Sequence, residues 1–190
     1  MESRQIFVAL YDRGYLSRGH QRQVQGLMAY HWGILVKPEQ GKEERYWSFE
    51  ATDDNVLDET TYICNNPTGD WWFKHMLEDD PTRGSRLILQ VKIGHTREGL
   101  LFEHMKSILE TVPLPLRHQA EQQSCVTWVE NAISTLQSYG CVLEFGIPQF
   151  MEQAIDNADR CMEDGQRNIS VEYSLVPTAE PRDASVSSVI

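Results

Sequence analysis

No stretch of this chain comes near the run of about 18 apolar residues that a membrane-spanning helix needs. The longest candidates, Ile6–Leu10 and Trp32–Val36, are strand-sized. Nor does the start resemble a secretory leader: Met1–Gln5 runs straight into Ile6-Phe7-Val8-Ala9-Leu10, too short for an apolar core with a cleavage site. Positive charge is the minority, with 17 Lys and Arg against 28 Asp and Glu, a net charge of −11. That balance repels phosphate and argues against nucleic acid and anionic membrane surfaces as partners. Cysteine is sparse: Cys64, Cys125, Cys141 and Cys161 are widely spaced, without a C-x-x-C pair. Free thiols and a cytoplasmic location are the expectation. There is no H-E-x-x-H, no close Cys–His pair among His20, His75, His95, His104 and His118, no EF-hand loop, and no glycine-rich phosphate loop around Gly84, Gly94 or Gly99. Neither a metal nor a nucleotide cofactor is expected. The acidic groups Asp53-Asp54, Glu78-Asp79-Asp80 and Asp156 with Asp159 read as solvated surface.

What remains, 41% hydrophobic and 24% charged over 190 residues, is the composition of a globular protein with a real core. One domain over residues 1–175 is expected, with a disordered tail over 176–190 that carries prolines and serines and no aromatic residue. Ile6–Tyr11 predicts a first strand and Asp12–Gln25 a loop or irregular helix. Leu27–Val36 predicts a strand apolar on both faces, with Tyr30, Trp32, Ile34 and Val36 on one side and His31, Gly33 and Leu35 on the other, hence near the sheet centre. Punctuation at Lys37–Lys42 returns the chain as a hairpin partner over Glu44–Ala51. Thr60–Cys64, Trp71–Met76 and Ser85–Ile93 complete the strands before the turn signals give way to helical periodicity.

Thr96 predicts the cap of a helix to Glu110 with Leu101, Met105 and Ile108 inward, ended by Pro113 and Pro115. Ser124 caps a second helix to Gln137 with Cys125, Val129, Ala132 and Leu136 on one stripe, closed by Gly140. Pro148 opens a third, with Met151, Ala154, Ile155, Ala158 and Met162 inward, before a short strand at Ile169–Leu175. Strands first and helices afterwards predict an α+β fold, an antiparallel sheet with helices packed on at least one face.

Two segments carry chemistry. Tyr30-His31-Trp32-Gly33-Ile34-Leu35-Val36 sets a histidine in a strand. Ser124-Cys125-Val126-Thr127-Trp128-Val129 sets a cysteine in the first turn of a helix. The nucleophile of thiol chemistry is the thiolate, favoured by a helix N-terminus and by a nearby imidazolium, and first-turn amides can hold an oxyanion. The same residues also read as an apolar cysteine on a core stripe and a hydrogen-bonded core histidine. Trp71-Trp72 and Tyr46-Trp47 read as core aromatics or pocket walls.

The order of a histidine strand, its hairpin partner and a cysteine helix resembles circularly permuted papain-like enzymes, including the lecithin-retinol acyltransferase group. More narrowly it resembles a group of poorly characterised small fungal proteins. The matching stretches are His31–Val36, Arg45-Tyr46-Trp47, Arg86-Leu87-Ile88-Leu89 and Ser124–Val129. The resemblance covers about residues 28 to 138 and implies Cys125 as nucleophile and His31 as base. It implies a histidine on the second strand as well, where this chain has Trp47, whose indole N–H can only donate. Ser48, Glu50 or Asp53 would orient His31 if register brings one of them beside it.

Three readings follow. One is a thiol-dependent hydrolase or acyltransferase acting on an amide, ester or thioester of a small molecule or peptide. Another is an inactive member of the same fold acting as a binding module. The third is an accessory protein or cyclase-type enzyme of small-molecule biosynthesis.

Overall fold

Alternation on the first two strands decides how the chain folds. Ile6, Val8 and Leu10 share a face with Tyr30, Trp32, Ile34 and Val36, and these residues enter one large buried cluster. Phe7, Ala9 and Leu35 point the other way and form a smaller cluster with Leu87, flanked by Tyr11 and Tyr46. Both faces of these strands are therefore covered, as a central position requires. The computed structural model describes residues 3–39, 45–55, 66–78 and 86–174. The Thr60–Cys64 strand and the 176–190 tail expected from the sequence lie outside them.

Among the described residues the sheet holds β1 (Gln5–Asp12), β2 (Tyr30–Lys37), β3 (Tyr46–Thr52), β4 (Trp72–Glu78), β5 (Leu87–His95) and β6 (Ile169–Glu172), in the order β4-β3-β2-β1-β5-β6. Five of these strands pair antiparallel. β6 departs from the expected pattern by lying parallel to β5. Three helices intervene between β5 and β6, and a crossover of that length lets the chain re-enter in the same direction.

The helices are α1 (Gly19–Gln25), α2 (Phe102–Glu110), α3 (Cys125–Ser138) and α4 (Ile147–Glu163). α3 lies against β2 and β3, α4 against β5 and α2 against β3, so α2, α3 and α4 share one face of the sheet. The fold is α+β, as the sequence predicted.

Several boundaries moved. Leu27–Ala29 is not strand but belongs to a 3-10 turn over Gly26–Ala29, and a second such turn spans Gly14–Ser17. Thr96 caps no helix. It is 4% exposed and exchanges backbone and side-chain hydrogen bonds with Arg4, securing the end of β5. α2 starts at Phe102 instead, with Met105 and Leu109 buried and Leu101 left 52% exposed. Pro148 falls one residue inside the start of α4, after Ile147. Cys125, Cys141 and Cys161 are free and buried.

Candidate functional site

Ser124 does what its position predicts. Its Oγ accepts the Val126 amide at 3.2 Å, and Thr127 Oγ1 accepts the Ser124 amide at 3.3 Å. This reciprocal pair fixes where α3 begins, and so fixes Cys125 at the positive end of the helix dipole. Since Val126 donates to Ser124, the amide of Cys125 is the first-turn donor left beside its own sulfur.

His31 stands on the face of β2 opposite the helix-covered core, with Gly33 and Leu35. The β2–β3 ladder runs over Val36↔Trp47, Leu35↔Ser48 and Ile34↔Phe49 and ends before it reaches His31. Cys125 packs with the helix-side core yet lines the same cavity as His31 and Glu50, so the tip of α3 meets the sheet where this ladder stops.

The register answers which residue faces the imidazole. Ile34↔Phe49 puts Glu50 on the His31 side of the sheet, and Glu50 Oε2 meets His31 Nε2 at 2.7 Å. The carboxylate crosses the strand over Gly33. A Cβ at that glycine would press on the Phe49 carbonyl oxygen at 3.2 Å and lie in ordinary contact with Glu50, 3.4 Å from its Cβ and 3.9 Å from Oε2. The other carboxylate oxygen, Oε1, takes the Lys74 ammonium from β4 at 2.7 Å.

Cys125 lines the same cavity and stands close enough to the imidazole to favour its charged form. Burial by itself would lower the His31 pKa. The neighbouring Cys125 sulfur and the Glu50 carboxylate, both favouring the charged ring, outweigh it and hold the imidazole up at about 10. Burial pushes Glu50 the other way, but the hydrogen bond and charge of His31, then those of Lys74, bring its carboxyl down to about 2. Burial lifts the Cys141 and Cys161 thiols above their ordinary value.

Cys125, His31 and Glu50 line one cavity of about 570 Å³ together with Ser48, Asp53, Asp54, Trp71 and Lys74. Trp47 does not stand beside His31. It lies on the helix-covered face, edge-on to Phe102 at 5.9 Å and under the Arg4 guanidinium at 4.3 Å. The even–odd alternation of β3 separates it from Glu50. Ser48 shares the cavity, and Asp53 faces Arg117 at 3.9 Å.

Lys74 escaped the sequence reading, because a lone lysine in an aromatic stretch signals nothing until its strand is paired. The acidic residues are also not all solvated surface. Asp159 accepts from Arg22 and from the Tyr30 hydroxyl, whereas Asp54 is exposed at the cavity rim as expected. Among the described residues no group of three metal-ligating side chains converges. No helix among them is long and apolar enough to cross a membrane.

Residues 3–158 match the model of a family of unknown function, DUF6914. No curated protein and no solved structure matches.

Proposed function

Because the chain belongs to the DUF6914 family, whose function is unknown, its chemistry has to be read from its own site, and we propose that it is a thiol-dependent hydrolase or acyltransferase with Cys125 as nucleophile, His31 as base and acid, and Glu50 as the residue that orients the imidazole. The observation that carries this reading is that Cys125, His31 and Glu50 line a single cavity, with the imidazole hydrogen-bonded to Glu50 at 2.7 Å. A nucleophile, a base and a group that orients the base, gathered in one site, are the parts that covalent acyl transfer uses. The chain order, with histidine ahead of cysteine, agrees with the resemblance to circularly permuted papain-like enzymes. Glu50 supplies the acceptor that Trp47 lacks, which removes the motive for an inactive binding module.

In the reaction the Cys125 thiolate attacks a carbonyl carbon and forms the C–S bond. The oxyanion is met by the Cys125 amide at the helix start. As the bond to the leaving amine, alcohol or thiol breaks, His31 delivers its proton to that group. His31 then takes a proton from water, or from an acceptor nucleophile, which attacks the thioester and returns the sulfur as thiolate. Glu50 keeps the imidazole in place and stabilises its charged form throughout.

Limiting iodoacetamide with mass-spectrometric mapping tests the thiol. At pH 6, Cys125 should react at least about tenfold faster than an ordinary thiol, and His31→Ala should remove that advantage. An activated ester should give a burst matching the enzyme concentration and an acyl adduct on Cys125. Alkylation of Cys125 at the ordinary rate, unaffected by His31→Ala, would end the proposal.

A further inference from the structure

A second cavity of about 550 Å³ adjoins the thiol cavity and shares Arg13, Leu16, Asp53 and Trp71 with it. Consecutive residues divide between the two, since Cys125 lines the first cavity and Ser124 the second. The second cavity therefore begins one residue from the nucleophile.

The second cavity has a built wall. Arg117 donates to the Thr68 carbonyl at 2.7 Å and faces Asp53, tying the loop before α3 to the turn before Trp71. Gln123 Oε1 accepts the Leu116 amide at 2.7 Å and closes that loop on itself. Leu116 is 58% exposed and offers its side chain to this cavity. Leu16, Met28 and Trp71 line the same cavity as further apolar side chains.

Four glutamines line it with them, Gln25, Gln119, Gln122 and Gln123. A carboxamide carries a donor and an acceptor, the same complement that a peptide group presents. A long alkyl chain would strip water from these amides and from Arg13 and give nothing back. A peptide with one apolar side chain satisfies both kinds of surface.

Resting on the thiol reading above, we propose that the substrate is a peptide whose reacting carbonyl sits at Cys125 while a neighbouring apolar side chain seats on Leu16, Met28, Trp71 and Leu116 in the second cavity.

The test uses the full chain and four alkylators that share one warhead: bromoacetamide, bromoacetyl-Gly-Gly-amide, bromoacetyl-Leu-Gly-amide and N-decyl bromoacetamide. The rate of Cys125 modification is read for each. The leucyl probe should exceed the glycyl probe by about tenfold, which partial burial of one leucine side chain provides. Leu116→Ala, at an exposed position where folding is not at stake, should cut the leucyl-to-bromoacetamide ratio several-fold. Trp71→Ala should do the same. Leu143→Ala, an exposed change outside both cavities, should leave the ratio alone. Equal rates for the leucyl and glycyl probes, with bromoacetamide still fast, overturn the subsite and leave the thiol reading standing. A decyl probe faster than the leucyl one replaces the peptide with an acyl chain. Slow bromoacetamide itself overturns both.

Discussion

Glu50 holds two cations with one carboxylate, His31 on Oε2 and Lys74 on Oε1, both at 2.7 Å. The imidazole pushed up to about 10 and the carboxyl brought down to about 2 describe one coupled pair, so their contributions are not separate. A raised imidazole stabilises the fold fully below its ordinary 6.5 and loses that contribution as pH climbs through about 10. A depressed carboxyl contributes above its ordinary 4.5 and loses that contribution as pH falls toward 2. The pair is at full strength between those two ordinary values. In a double-mutant cycle of His31→Ala and Glu50→Gln followed by thermal denaturation, the coupling should be largest near pH 5–6 and gone above about pH 10. A coupling that grew with pH through that range would contradict the assignment.

At the scale of elements, the start of α3 and the glycine of β2 decide the site. The Ser124 cap sets the register of Cys125, and Ser124→Ala should cost about 1 kcal/mol of stability, read as a lowered urea midpoint at constant slope. Gly33→Ala should show a different signature. Its Cβ would meet the Phe49 carbonyl oxygen at 3.2 Å, and the shift of β3 that relieves this contact should carry the adjacent Glu50 with it. The overpacking costs about 1–3 kcal/mol. Beyond that cost, the pH dependence of Cys125 alkylation should lose its high-pH limb near 10 and move toward that of an ordinary histidine. An unchanged profile would show that the acid reaches the imidazole by another route.

Across the whole molecule, β2 is anchored from the far side by α4. Asp159 takes two hydrogen bonds from Arg22 at 2.6 Å and one from the Tyr30 hydroxyl at 2.7 Å, joining α1, the first residue of β2 and the last long helix. Tyr30 is fully buried, and burial together with the Asp159 carboxylate pushes its hydroxyl well up, so it stays a donor. Asp159→Ala leaves these donors without their acceptor and should cost about 1–3 kcal/mol, lowering Tm while the wild-type far-ultraviolet spectrum is kept. A Tm unchanged by that substitution would remove the anchor.

The sequence by itself determined the elements that rest on local rules: the alternating strands, the Ser124 cap, the inward stripe of α3 and the α+β class. Alternation and capping act over a few residues, so their physics is written in neighbours. The sequence also brought His31 and Cys125 forward as a pair, because each residue type stood on an element suited to its role. Only the tertiary structure decided what completes them. Strand register placed Glu50 beside His31 and turned Trp47 to the opposite face, a choice that a shift of one residue would reverse. Sheet order brought Lys74 from another strand, and the same long-range packing gave β6 its parallel place and set the second cavity beside the first. Such contacts depend on which segments pair across the fold, and no window along the chain carries that information.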